Sequence, residues 1–127
     1  MAGPADDRPA LWTGHVLVGA ADVGAAARFY EQIGMRTVFV GERSAALELR
    51  GGTHLLIQHD PDAAGADGPL WDLMVEDLEA THARWRAQGL PVGDIFDEAP
   101  IPHRRFDLTD PDGHRIAVRD SHVVGAV

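Results

Sequence analysis

The chain of 127 residues has no cysteine, no lysine and few aromatic residues, and it has no long apolar run. Without cysteine there is neither a disulfide framework nor a thiolate for nucleophilic or zinc chemistry. No stretch approaches the roughly 20 apolar residues of a membrane span, and the start MAGPADDRPA offers neither a basic n-region nor an apolar h-region. A cytoplasmic protein is expected. All eleven cationic side chains are Arg, set against 20 Asp and Glu, for a net charge of -9. That surplus repels nucleic acid and would help draw in a cationic small molecule. The Gly-rich segments lack the GxxxxGK[ST] and GxGxxG spacings, and no Ser stands in a G-x-S-x-G elbow. Adjacent carboxylates such as Asp6-Asp7 and Asp97-Glu98 fall in predicted loops, where solvation explains them.

What is present is an internal repeat. Residues 15–35 (HVLVGAADVGAAARFYEQIGM) face residues 70–90 (LWDLMVEDLEATHARWRAQGL) at an offset of 55, pairing Asp22 with Asp77, Ala25 with Ala80 and Gly34 with Gly89. Each Asp opens a helical stretch and each Gly closes it. Between and beyond them Val23/Leu78, Tyr30/Trp85 and Met35/Leu90 keep apolar character. A single domain of two half-length modules follows, long enough to bury a core without staples.

Residues 1–11 carry prolines, Gly3 and adjacent aspartates without an apolar period and read as a flexible tail. The domain is expected over 12–122, with module one at 12–58, a linker at 59–69 (HDPDAAGADGP) and module two at 70–120. Module one reads as a strand at 15–20 and a helix with Val23, Ala26, Ala27, Tyr30 and Ile33 inward. Three strands follow at 37–40, 45–49 and 53–58, the last two joined at Gly51-Gly52. Module two repeats this with strands at 70–75, 92–96, 104–109 and 114–119. Its last turn, Asp110-Pro111-Asp112-Gly113, has Pro and Gly where a tight turn wants them.

In order and spacing GHVLVGAAD, ARFYEQIGM, VEDLEATHARWRAQG and FDLTDPDGHRIAV resemble the vicinal oxygen chelate superfamily. That group includes glyoxalase I, extradiol dioxygenases and the bleomycin resistance proteins, and the resemblance spans residues 14–119. It implies an α+β fold in which two β-α-β-β-β modules form a curved eight-stranded mixed sheet around a cleft, in a homodimer. Metal-using members place a His on the first strand of a module and a carboxylate on its last. Here the corresponding positions hold His15, Leu56, Leu70 and Ala117, a poor set for a divalent ion that needs about three protein ligands. In character the chain is therefore closest to the metal-free bleomycin-resistance type, a binder that sequesters an antibiotic or related small organic ligand with no cofactor. The alternative is a glyoxalase-like or dioxygenase-like enzyme with one divalent ion on nonstandard ligands, His15, His54 and Asp72.

The expected ligand-binding residues are Trp12, His15, His54, Leu56, Asp72, Phe106, Arg115 and Ala117. His15 is either a cleft residue or a hydrogen-bonded core histidine. His54 shares a face with Leu56 by period-two alternation. Asp72 interrupts an apolar strand, which requires a wet cleft or an Arg partner. Arg115 and Arg119 share the parity of Ala117 and either supply that partner or form a solvated strand end. Of the aromatics, Trp12 and Phe106 are the cleft candidates for stacking, Trp71 and Phe39 further options, and Trp85 a core residue. The histidines at 59, 82, 103, 114 and 122 read as solvent-facing.

Overall fold

The computed structural model describes residues 6–121. Residues 1–5 of the expected tail and His122 lie outside them, and residues 6–11 form neither helix nor strand.

Each module is built on the same local logic. In module one β1 (His15–Ala20) leads to α1 (Val23–Gln32), then β2 (Arg36–Val40), β3 (Ser44–Glu48) and β4 (His54–His59). In module two β5 (Trp71–Val75) leads to α2 (Leu78–Ala87), then β6 (Phe96–Asp97), β7 (Arg104–Thr109) and β8 (Arg115–Asp120). Asp22 and Asp77 cap the helices by accepting from Ala25 N at 3.0 Å and Ala80 N at 2.9 Å, satisfying amides that have no partner inside the helix. Both helices end alike. The Met35 and Leu90 amides donate back to the Tyr30 and Trp85 carbonyls across Gly34 and Gly89, whose φ values of +124° and +77° a side chain would resist. The residue pairs matched in the repeat are thus the ones that close each helix.

The strand orders are β1-β4-β3-β2 and β5-β8-β7-β6, with β1·β4 and β5·β8 parallel and the remaining pairs antiparallel. The expected α+β fold of two β-α-β-β-β modules with eight strands in mixed sheets is present, and the strands fall in two four-stranded sheets because, among the described residues, no hydrogen-bonded ladder joins the edges of β1 and β5. The strand expected at 92–96 is corrected: the ladder is confined to Phe96–Asp97, and Val92 makes only an isolated bridge to Leu108. The preceding Pro91 has no amide to donate, and the Val92 amide turns back to the Leu90 carbonyl, so the segment enters the sheet late.

One continuous core unites the modules. Tyr30, Leu47, Leu55, Ile57, Phe106, Leu108, Ile116 and Val118 are buried in it between helices and sheets. Polar bonds add to the join. Tyr30 Oη donates to Asp110 Oδ2 at 2.7 Å, His114 Nε2 donates to Gly19 O at 2.9 Å, and Ala21 N donates to Asp112 Oδ1 at 3.0 Å. Burial and the Asp110 charge push the Tyr30 hydroxyl far above the ordinary phenol range, so it remains a donor. The turn at 110–113 therefore serves as a clamp between modules as well as a hairpin. His114, buried here, departs from the solvent-facing reading. Among the described residues no helix is long and apolar enough to cross a membrane.

Candidate functional site

Alternation along the strands gives each sheet one face against its helix and one face away from it. In module one the helix side takes Val18, Ala20, Ala45, Leu47, Leu55 and Ile57, all buried. The opposite face is ordered in rows by strand register. His15, His54, Glu48 and Arg36 form one row across β1, β4, β3 and β2, and Leu17, Leu56, Ala46 and Phe39 form the next. The His15 and His54 rings are 5.9 Å apart between centroids, His54 Nε2 lies 3.7 Å from Glu48 Oε2, and Glu48 is paired with Arg36. Leu17 and Phe39 are 57% and 49% exposed, so the second row presents an open apolar stripe.

The same face of module two is charged. At the rows equivalent by offset stand Leu70 with Arg115 and Thr109, then Asp72 with Ala117 and Asp107. Arg119 holds Glu98 at 2.5 Å and Asp72 at 3.1 Å, and Arg105 holds Glu98 at 3.1 Å. Arg105 Nε also lies 3.0 Å from Asp107 Oδ1, an ion-pair distance without hydrogen-bond alignment. The Arg119 hydrogen bond holds the Glu98 carboxyl below its ordinary range, against the opposing effect of desolvation.

The structure brings some of the expected residues together and separates others. His15, His54 and Leu56 share the open face of module one, and Asp72, Arg115 and Ala117 share that of module two. Ala117 is fully buried beneath its charged neighbours. Phe106 is a correction. At 0% exposure it sits on the helix side of β7, against the rings of Trp85 and His82, and touches no cleft. Its parity with Leu108 marks the core face of that strand. Trp12 is 78% exposed ahead of β1, outside both faces. Glu98 was missed as loop solvation, yet its side chain is only 10% exposed. The signal was the shared parity of Arg105 and Arg119 on the face away from the helix, where two adjacent guanidinium groups need a carboxylate nearby.

Between the modules runs a groove of about 970 Å³, with Val16 and Met35 on one wall and Trp71, Leu73 and Trp85 on the other. Glu48 and Arg36 from the His15 row also border it, as does Asp72. Arg50 and Glu76, a pair 3.0 Å apart, bring the two modules together beside it.

Residues 12–118 match the profile described as the Glyoxalase/Bleomycin resistance protein/Dioxygenase superfamily. The chain belongs to this superfamily. Solved structures agree on the fold. A lactoylglutathione lyase from Agrobacterium tumefaciens superposes with TM-score 0.71 at 19% identity, covering 89% of this chain and 95% of that one. A bleomycin-binding protein crystallised with bleomycin gives TM-score 0.71 at 19% identity, covering 87% and 98%. A glyoxalase/bleomycin resistance protein from Catenulispora acidiphila gives 0.67 at 26%, covering 86% and 97%. No curated protein sequence matches the chain significantly.

The metal site of metal-using superfamily members does not fit these residues. The four implied positions are His15, Leu56, Leu70 and Ala117, and among the described residues no group of three or more His, Cys, Asp or Glu is placed to hold an ion. Asp72, the nonstandard candidate, belongs to the other sheet and is engaged by Arg119.

Proposed function

We propose that this superfamily member binds a small organic molecule without a metal, on the open face of module one and the adjoining groove. The observation that carries the reading is the apolar row Leu17, Leu56, Ala46 and Phe39, which occupies the sheet face where a ligating carboxylate would be required. Apolar walls with a few placed polar groups suit ligand binding, and the groove lies within the size range of small-molecule sites. The bleomycin complex of a structural relative supports a small organic ligand on this fold. The proposed setting is a cytoplasmic homodimer, favoured by the apolar edge strand β2, where Val38, Phe39 and Val40 are exposed.

A thermal-shift screen with bleomycin and other small organic compounds tests this. A ligand at about 100 times its Kd stabilises the native state by about 2.7 kcal/mol. The second reading, an enzyme with one divalent ion, is favoured by the proximity of the His15 and His54 rings. Elemental analysis of protein purified without added metal separates the two. A near-stoichiometric divalent ion that is lost in His15→Ala would overturn the binding reading.

A further inference from the structure

We infer that the groove between the modules takes an amphiphilic carboxylic acid, its apolar body between the two modules and its carboxylate against Arg84 of α2. The inference rests on the binding reading above, whose site includes this groove, and adds the chemical class that the groove recognises.

Charge at the groove selects the head group. Every carboxylate on its border is already engaged: Glu48 pairs with Arg36, Glu76 with Arg50, and Asp72 with Arg119. Asp77 caps α2, where its side chain accepts from Ala80 N and faces the positive end of the helix. Two of the three arginines on the border, Arg36 and Arg50, are taken by these pairs, and Arg84 is left over. Its guanidinium makes no ion pair or hydrogen bond among the described residues. The residues one turn away from it on the helix surface, Ala80, Thr81, Ala87 and Gln88, bear no carboxylate. A ligand cation therefore meets no unpaired acid in the groove, whereas a ligand anion meets one unpaired guanidinium. The net charge of -9 opposes an anion mainly at a distance, since salt screens charges separated by more than about 8 Å. At contact the planar guanidinium fork matches a carboxylate and donates to both of its oxygens.

The walls select the rest of the molecule. Val16 and Met35 from module one and Leu73 and Val75 from module two line the groove, and its volume of about 970 Å³ is far more than a bare carboxylate fills. A small hydrophilic anion would leave those walls against water. An apolar chain removes them from it, and a carboxylate at the end of that chain reaches the one cation without a partner.

Isothermal titration calorimetry of the intact chain with octanoate, 1-octanol and octylammonium at neutral pH tests this. The three share one hydrocarbon chain and differ in the charge of the head group. Octanoate should bind about tenfold more tightly than octanol, the worth of one charge-assisted contact, and octylammonium more weakly than octanol. In Arg84→Gln, at an exposed position and with folding verified by circular dichroism, the preference for octanoate over octanol should fall to under about twofold. Ala80→Trp places a ring in the groove one turn from Arg84 and should weaken octanoate binding by more than about tenfold. Equal affinity for octanoate and octanol, tighter binding of octylammonium, or a preference retained in Arg84→Gln overturns the carboxylate assignment while leaving the binding reading standing. Undiminished octanoate binding in Ala80→Trp overturns the groove as its place. Binding of none of the three compounds overturns the assignment as well, and the compound screen then decides the binding reading.

Discussion

The two modules share a backbone plan and a register, and they differ on the one face that plan leaves free. The offsets pair His15 and His54 of module one with Leu70 and Arg115 of module two, and Leu17, Leu56 and Ala46 with Asp72, Ala117 and Asp107. On the helix side both copies keep apolar residues, because that side must leave water for the fold to exist. On the free side one copy is an open apolar stripe beside two histidines and the other is a closed net of ion pairs. Folding constrains the first side. Selection for function is free to act on the second.

The strongest test of this contrast is on the helix side, where the modules should behave alike. Phe106→Ala removes a fully buried ring packed on Trp85 and His82 and should cost about 3–5 kcal/mol in urea denaturation. A cost below 1 kcal/mol would return Phe106 to the cleft.

Next come the carboxylates of the free faces. Glu98→Gln takes one of two carboxylate partners from each of Arg105 and Arg119 and should cost about 2 kcal/mol. Glu48→Gln, at a more exposed pair, should cost less than about 1 kcal/mol. The Glu98 effect also has a pH signature. Arg119 lowers the folded-state pKa of Glu98 from the ordinary 4.5, so the stability it contributes is fully present above that value. It is lost as pH falls through the lowered folded pKa. The gap between wild type and Glu98→Gln should therefore be complete at neutral pH and close on acidification below 4.5. A gap that widened in acid would refute the ion-pair account.

Smaller and equal effects are expected at the caps. Asp22→Ala and Asp77→Ala should each cost about 1 kcal/mol, since each removes one side-chain acceptor from one helix start. Unequal costs would mean that the modules differ in local stability as well as in surface. Smallest is Leu17→Ala, expected within about 0.5 kcal/mol for stability because the side chain is largely exposed, while ligand affinity measured by calorimetry falls. A large loss of stability there would make the stripe part of the core.

Much of the fold was legible because helix stops, caps and alternation are local. Asp22, Gly34, Asp77 and Gly89 each act within one turn of chain, and the sequence around them suffices. Less of the site could be read. Phe106 and Arg105 are neighbours on one strand with opposite destinations, and parity alone does not say which parity faces the helix. Glu98 looked like loop acid because its partners, Arg105 and Arg119, come from later strands. The clamp from Tyr30 to Asp110 joins residues far apart in sequence, with no local pattern to announce it.

By itself, then, the sequence determined the doubled module and the helix boundaries, since each depends on residue type at a known local spacing. The tertiary structure alone decided that the sheets remain two, that module two's free face is neutralised by Glu98, and that the two histidines of module one meet beside an apolar row. Those outcomes depend on which strands become neighbours, and long-range pairing is set by the burial of the whole core rather than by any short stretch of chain.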